Sequence, residues 1–181
     1  MNTTAFLYSA RKGNGYDIAQ HFLQKKNIVL LSDFHLLPCS KCKYECLNEL
    51  PCPVSDDLLT VFNKLKNSNR LLVITPTYDG RPPALFYIWE ERLPSLWNRM
   101  AEGFEKCYKN MKVYLITIGN SEASETEKIV NAHFKKRNAS IEGSILIKPS
   151  DYTLGGGIKG GLIKNRELLQ TLEPVKLWTQ K

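Results

Sequence analysis

The chain has 181 residues, a net charge of +7 and 43% hydrophobic residues, which is typical of a globular protein with a single domain. Its apolar runs are shorter than the ~20 residues that cross a bilayer, and its first residues lack the basic and apolar regions of a signal peptide. We therefore expect a cytoplasmic protein, rather than a membrane protein, a secreted disulfide-rich protein or a coiled coil.

Apolar runs and amphipathic segments alternate along the whole sequence. The runs rich in strand formers are 4–9, 28–31, 71–75, 113–118 and 145–147. Apolar residues with helical spacing lie around 18–23, 54–65, 85–89, 129–134 and 165–172. Ser55-Asp56-Asp57 is predicted to cap the second helix, and Pro82-Pro83 to begin the third.

This alternation predicts an α/β fold with a parallel sheet covered on both faces. Five strands in a chain of this length fit a flavodoxin-like, doubly wound sheet with strand order 2-1-3-4-5, and we expect one such domain over residues 1–181. Ligands of these sheets bind outside the carboxyl ends of the strands. The loops after strands one, three and four are therefore the candidate site.

Basic residues are scattered rather than grouped. Lys135-Lys136-Arg137 is the one run, and it closes a predicted helix, where cations interact favourably with the helix dipole. The sequence has neither the zinc-finger spacing nor the aromatic signature of nucleic-acid-binding domains. We expect no membrane as partner, and a basic domain that binds nucleic acid is a less favoured alternative interpretation.

Four of the five cysteines lie in a loop predicted after strand two, the cysteine-rich loop 38–53. They are Cys39, Cys42, Cys46 and Cys52, with the spacing C-x2-C-x3-C-x5-C. In a cytoplasmic chain this favours metal binding or redox chemistry over disulfides. An iron–sulfur cluster, a zinc site and unligated thiols are the open interpretations, and the compact spacing favours the cluster. Cys107 stands apart and is predicted to be a buried small hydrophobe.

The loop after strand one, Ser9 to Tyr16, is short, polar and rich in glycine, and it opens a helix. Backbone N–H groups at a helix N-terminus bind phosphate. Ser9 and Asn14 can donate further hydrogen bonds, and Arg11 or Lys12 can neutralise charge. The pattern matches neither a P-loop nor a dinucleotide loop, and an ordinary turn is the alternative interpretation.

The loops after strands three and four have a different character. Residues 75–83, Thr-Pro-Thr-Tyr-Asp-Gly-Arg-Pro-Pro, combine an aromatic ring with backbone stiffened by proline. Gly119-Asn120-Ser121 is small enough for a ligand to approach the backbone closely. Together they favour the binding of a planar heterocycle.

The order of these parts resembles the NADPH-dependent FMN reductase-like flavoproteins, over about residues 4–121. The parts that carry the resemblance are the first loop, a cysteine segment followed by Asp56-Asp57, and Thr75-Pro76-Thr77-Tyr78 ahead of a helix. The four clustered cysteines are similar to those of the iron–sulfur flavoproteins. Gly15 stands where the family usually has Thr or Ser.

The resemblance implies an FMN-dependent oxidoreductase that takes a hydride from NAD(P)H, or electrons from a carrier, and passes them to a small-molecule or protein acceptor. The chemistry belongs to the flavin, so no side chain is predicted as catalytic. The implied FMN-binding residues are Ser9, Arg11, Gly13, Asn14, Gly15, Pro76, Thr77, Tyr78, Asp79, Gly80, Gly119 and Asn120. The implied ligands of a [4Fe–4S] cluster are Cys39, Cys42, Cys46 and Cys52. The alternative is a non-catalytic flavodoxin-like module with a structural zinc site on the same cysteines.

Three further features have open interpretations. The glycine run 155–161 is a connector, a lid or a phosphate-binding nest. The third predicted helix has more aromatic residues than one face needs, so it is a candidate interface of a homo-oligomer, or ordinary core. His21, His35 and His133 are predicted to lie in the core or at the surface, away from the candidate site.

Overall fold

Five strands form one parallel sheet in the computed structural model of the chain, which describes residues 2–39, 42–48, 52–153 and 160–180. The strands are β1 (Thr3–Leu7), β2 (Ile28–Leu30), β3 (Arg70–Pro76), β4 (Lys112–Ile118) and β5 (Ser140–Ile147). Their order is β2-β1-β3-β4-β5, which confirms the predicted topology. The loops after β1, β3 and β4 therefore meet at one edge of the sheet.

Helices cover both faces of this sheet. They are α1 (Asn14–Phe22), α2 (Leu58–Lys66), α3 (Ala84–Lys109), α4 (Ala123–Lys135), α5 (Arg166–Thr171) and α6 (Glu173–Gln180). α2, α3 and α4 pack on one face, and α1, α5 and α6 pack on the other. Of the helices in the described ranges, none combines the length and the apolar character that crossing a membrane requires.

The central strands are buried on both faces, as their apolar sequences predict. In β1, Phe6 faces the α2–α4 side and Ala5 faces the α1 side, and neither is exposed. The edge strand β5 differs, because its residues alternate between exposed and half-buried along most of its length. It is also longer than the predicted run 145–147, since alternating polar residues hide its first half from a search for apolar runs.

Two further predictions need correction. The predicted last helix, 165–172, corresponds to α5, and a further helix that was not predicted, α6, begins at Glu173 with Pro174 in its first turn. The predicted apolar stripe of the second helix includes Val54, but α2 begins at Leu58, with Asp57 of the predicted capping segment at its N-cap position. The Asp57 carboxylate does not bond to the N-terminus of α2, because it accepts the N–H of His35 at 2.8 Å.

Candidate functional site

A cavity of about 230 Å³ lies at the edge of the sheet where the loops after β1, β3, β4 and β5 meet. It is lined by Ser9, Arg11, Gly13, Asn14, Gly15, Ile74, Pro76, Thr77, Tyr78, Ile118, Gly119, Asn120 and Pro149. All of the predicted FMN-binding residues except Asp79 and Gly80 are in this set. The structure thus brings together three loops, of which the first and the last are more than a hundred residues apart in the sequence.

The loop after β1 contributes donors rather than a closed surface. α1 begins at Asn14, after Gly13, which has no side chain to cap the helix. Ser9 Oγ is buried and has no hydrogen-bond partner in the described part of the chain. The Asn14 amide oxygen accepts the N–H of Leu162 at 3.3 Å, which fixes that side chain at the rim. A buried, unpaired hydroxyl beside a helix N-terminus suits an anionic ligand group.

The loop after β3 is a tight hairpin turn. Tyr78 and Arg81 exchange two backbone hydrogen bonds, of 2.9 and 3.0 Å. Between them Asp79 (φ 51°) and Gly80 (φ 71°) are both left-handed, as a type I′ turn requires. The two turn residues lie at the tip, outside the lining of the cavity, while the Tyr78 ring stands at the rim and is 51% exposed.

Thr77 joins the loops after β3 and β4. Its N–H donates to Ile118 O at 2.9 Å, and its Oγ1 lies 2.6 Å from Thr126 Oγ1 of α4. A Cβ added to Gly119 would lie only 1.8 Å from Thr77 Cγ2, so glycine is the residue that this close approach allows. The Gly119 N–H in turn donates to Ile147 O at 2.9 Å. These contacts fix one wall of the cavity before any ligand binds.

Three lining residues were not predicted. Ile74 and Ile118 lie on the α1 face of the sheet, at the ends of β3 and β4, and Pro149 follows β5. The two isoleucines could have been predicted, because side chains alternate along each strand and this alternation places both on the same face of the sheet as the loop after β1. Pro149 was missed because the site was expected from strands one, three and four alone.

The charges around the cavity are modest. Arg11 is exposed and lines it, whereas Lys12 Nζ lies 3.8 Å from Asp33 Oδ2 and is directed to that carboxylate. Gly80 packs against Glu122, so the acidic residues before α4 lie beside the hairpin tip. The cationic end of the site is therefore the loop after β1.

A buried ion pair holds the base of the cysteine-rich loop. Arg92 of α3 binds both carboxylate oxygens of Asp56, at 2.6 and 3.3 Å, and both side chains are 2% exposed. Arg92 Nη1 also donates to Leu37 O at 2.7 Å, and Glu91 Oε1 accepts the Cys39 N–H at 2.7 Å. No local sequence pattern distinguishes Arg92, because a single arginine in a helix has the same pattern as a surface residue.

Two of the clustered cysteines are in contact in the described part of the loop. Cys39 Sγ lies 3.9 Å from Cys42 Sγ, while Cys52 Sγ lies 3.7 Å from Arg92 Nη2. No group of three metal-ligating side chains occurs within residues 2–39, 42–48, 52–153 and 160–180. Burial and the neighbouring Cys42 raise the pKa of Cys39. The described residues therefore do not fit a [4Fe–4S] cluster, and it stays a prediction from the sequence.

Other predicted features lie away from the cavity. Cys107 is buried, as predicted, and burial raises its pKa to about 11. His133 is also buried, between Glu90 and Arg137, and burial lowers its pKa. Of the glycine run, 155–159 lies outside the described residues. Gly161 has a left-handed φ of 88° and precedes the buried Leu162.

The aromatic residues of α3 divide between core and surface. Phe86, Trp89 and Leu93 are buried against the sheet, which accounts for most of the apolar surplus. Tyr87 and Trp97 remain 43% and 48% exposed. The homo-oligomer stays a prediction for this face.

No protein-family model and no curated protein matches this chain. Solved structures do match. The Trp repressor binding protein from Bacillus subtilis is 13% identical, with a TM-score of 0.58 over 80% of this chain and 82% of that one. RosB, solved with the bound intermediate 8-demethyl-8-formylriboflavin-5'-phosphate, is 12% identical, with a TM-score of 0.57 over 80% of this chain and 64% of its own.

A third match spans almost the whole chain. FerB from Paracoccus denitrificans, a flavoenzyme NAD(P)H:(acceptor) oxidoreductase, is 13% identical, with a TM-score of 0.55 over 99% of this chain and 94% of that one. At such identities the likeness concerns the fold. It confirms the predicted flavodoxin-like sheet.

Proposed function

We propose that the chain is an FMN-dependent oxidoreductase that uses NAD(P)H as electron donor. The observation that carries this proposal is the cavity at the carboxyl edge of the sheet, whose lining includes ten of the twelve residues that the family resemblance implies for FMN. Its two ends differ in chemistry as the two ends of FMN do. The flavin-dependent chemistry that the names of RosB and FerB state is consistent with this proposal.

The loop after β1 is the proposed phosphate end. The N-terminus of α1 offers backbone N–H groups and a positive dipole end, and Ser9 offers a buried hydroxyl that lacks a partner in the described part of the chain. Arg11 adds a formal positive charge at the solvent side. A phosphate bound here would give the Ser9 hydroxyl a hydrogen-bond partner.

The hairpin after β3 and the loop after β4 form the proposed ring end. The exposed Tyr78 ring at the rim offers a stacking surface, and the backbone near Thr77 and Gly119 offers close approach. Aromatic side chains and exposed backbone together recognise a flat, polar-edged heterocycle. Pro76 keeps this wall stiff by fixing its φ.

Bound FMN would supply the hydride chemistry, accepting from NAD(P)H and donating to a small-molecule or protein acceptor. The residues of this chain bind and orient it. Ser9 and the α1 N-terminus hold the phosphate, Tyr78 covers a ring face, and Ile74 and Ile118 exclude water from the cavity floor. No catalytic side chain is assigned.

The iron–sulfur and zinc hypotheses have weaker support. A zinc site needs three or four ligands in tetrahedral arrangement, and the described residues contain no group of three metal-ligating side chains. We therefore route no step through a cluster, and we do not propose the zinc module as a second function.

The decisive experiment is a flavin titration of the purified chain. We expect one FMN per chain, and riboflavin, which lacks the phosphate, to bind at least about tenfold more weakly, because charge-assisted hydrogen bonds to the phosphate are lost. Addition of NADPH or NADH without oxygen should then bleach the flavin absorbance. Iron, zinc and sulfide assays on the same sample test the cysteine hypotheses.

Each result has a separate meaning. Failure to bind FMN contradicts the proposed function. Equal affinity for FMN and riboflavin contradicts the assignment of the phosphate end alone. Binding without bleaching by either nucleotide contradicts the proposed donor. About four irons and four sulfides per chain would show that the cysteine loop rearranges from the conformation described above.

A further inference from the structure

Thr126 is a fully buried polar residue in the first turns of α4, with 0% exposure. It is not one of the residues that line the cavity in the described part of the chain. Its Oγ1 lies 2.6 Å from Oγ1 of Thr77, which does line the cavity. We infer that Thr126 is a positioning residue for the cofactor cavity, acting through Thr77. This inference rests on the proposed function.

The first step is that Thr77 is held on three sides. Its N–H is bonded to Ile118 O on β4, and its hydroxyl is bonded to Thr126 on α4. Its γ2 methyl occupies the space where a side chain at position 119 would lie. The hydroxyl bond selects one χ1 rotamer of Thr77, since only that rotamer meets both Thr126 and the bare backbone of Gly119.

The second step concerns the choice of residue at position 126. Threonine is a weaker helix former than alanine or leucine, and a buried hydroxyl is unfavourable unless it is hydrogen-bonded. An apolar residue would fill the same space under α4 more simply. The hydroxyl finds its partner in Thr77, so the sequence fits a role in holding the loop after β3 to α4.

The third step leads to the ligand. Without the Thr126 hydroxyl, the Thr77 side chain can rotate and move its methyl away from Gly119, because the competing rotamers no longer lose a hydrogen bond. The wall between Pro76 and Tyr78 would then sample several conformations. A flat ring bound against that wall would lose order and affinity together.

The experiment compares Thr126→Val, which removes the hydroxyl but keeps the shape, with Thr126→Ser, which keeps the hydroxyl. Thr77→Val and the double variant complete a double-mutant cycle. Thr4→Val is the matched control, because Thr4 Oγ1 shares a buried hydroxyl pair with Ser68 at the opposite end of the sheet. The readouts are FMN affinity, the visible spectrum of the bound flavin, and the thermal midpoint without FMN.

We expect Thr126→Val to weaken FMN binding about fivefold, the effect of one neutral hydrogen bond, and to alter the flavin spectrum. Thr126→Ser should bind within about twofold of the parent chain, and Thr126→Val should add nothing in the Thr77→Val background. Thr4→Val should lower the thermal midpoint and leave FMN affinity unchanged.

Two results would overturn the inference while leaving the proposed function intact. One is parent-like FMN affinity and spectrum in Thr126→Val, with only the thermal midpoint lowered. The other is full additivity of Thr126→Val and Thr77→Val, which would mean that Thr126 does not act through Thr77. A parent chain that binds no FMN overturns both proposals.

Discussion

The two walls of the cavity are built on different principles. The loops after β3 and β4, residues 76–81 and 119–122, are tied to each other and to the sheet by hydrogen bonds and by the contact of Thr77 with Gly119. The loop after β1, residues 9–13, instead carries a buried hydroxyl without a partner in the described chain and an exposed arginine. The wall after β3 and β4 is held by contacts within the chain, whereas the wall after β1 retains a buried hydroxyl without a partner in the described residues.

This difference matches what each end of FMN would require. A rigid ring gains affinity from a surface that is already ordered, because no loop entropy is lost on binding. A phosphate gains affinity from donors that nothing else satisfies, because unpaired buried donors are unfavourable until it binds. The contrast predicts that substitutions in the loops after β3 and β4 lower both the stability of the protein and its affinity for FMN. Substitutions in the loop after β1 should lower the affinity for FMN alone.

The largest effect is expected from Gly119→Ala. The new Cβ would overlap Thr77 Cγ2 at 1.8 Å, so one of the two loops must move. Overpacking of this kind costs about 3 kcal/mol, and we expect a lower thermal midpoint together with roughly 100-fold weaker FMN binding. Thermal unfolding and flavin titration measure the two effects on the same sample.

Gly103→Ala is the control for that change. A Cβ at this helical glycine meets nothing within 4 Å, so the substitution should raise stability by roughly 0.5–1 kcal/mol and leave FMN binding unchanged. If Gly119→Ala also kept parent-like affinity, the wall formed by Thr77 and Gly119 would not be part of the binding site.

The position of the loops after β3 and β4 could be predicted from the sequence, but the contacts that hold them together could not. Strand order and the position of the loops follow from apolar runs and from the topology of parallel sheets, which are local or general features. The hydroxyl pair of Thr77 and Thr126 joins residues 49 apart, and nothing in either local pattern reports it.

The cysteine-rich loop illustrates the opposite case. Its spacing is the strongest local signal in the sequence, yet the described residues contain no group of three metal-ligating side chains. The base of this loop depends on the buried pair of Arg92 and Asp56, which are 36 residues apart. The spacing of the cysteines is visible in the sequence. The ion pair that holds the base of the loop joins distant residues, and so it cannot be predicted from that spacing.

The next effect in size is expected from Gly80→Ala, at the tip of the hairpin. Its φ of 71° is left-handed, which costs a residue with a Cβ about 1–2 kcal/mol. We expect a urea midpoint lowered accordingly at constant m-value. FMN binding should weaken less than in Gly119→Ala, because Gly80 is outside the cavity lining.

Asp79→Gly provides the matched change at the neighbouring left-handed residue, where φ is 51°. It removes the steric cost and adds unfolded-chain entropy, so stability should stay within about 0.5 kcal/mol of the parent. If the two substitutions were equally destabilising, the left-handed turn would not be the reason for glycine at position 80.

A smaller effect is expected from Ser9→Ala, which should not lower the stability of the flavin-free protein but should weaken FMN binding. Removing a buried hydroxyl that has no partner in the described chain should leave the flavin-free protein as stable as the parent or more stable. FMN binding should weaken roughly tenfold, through loss of a charge-assisted hydrogen bond to the phosphate. Riboflavin binding should not change. A fall in stability without a fall in FMN affinity would contradict the idea that this wall is left open for a ligand.

The smallest effect is expected from Arg11→Gln, because an exposed arginine interacts with a phosphate through water and is screened by salt. At low salt we expect about threefold weaker FMN binding, and at about 1 M salt, where the Debye length is about 3 Å, no difference from the parent. Lys109→Gln removes the same charge from the exposed end of α3, beside the opposite edge of the sheet, and should change binding at neither salt concentration. Titrations of FMN and riboflavin at both salt concentrations separate the cases, since only FMN carries the charge that Arg11 would meet.

A salt-independent loss of FMN affinity in Arg11→Gln would instead mean that the guanidinium makes a buried, directional contact in the complex. The loop after β1 would then close over the ligand.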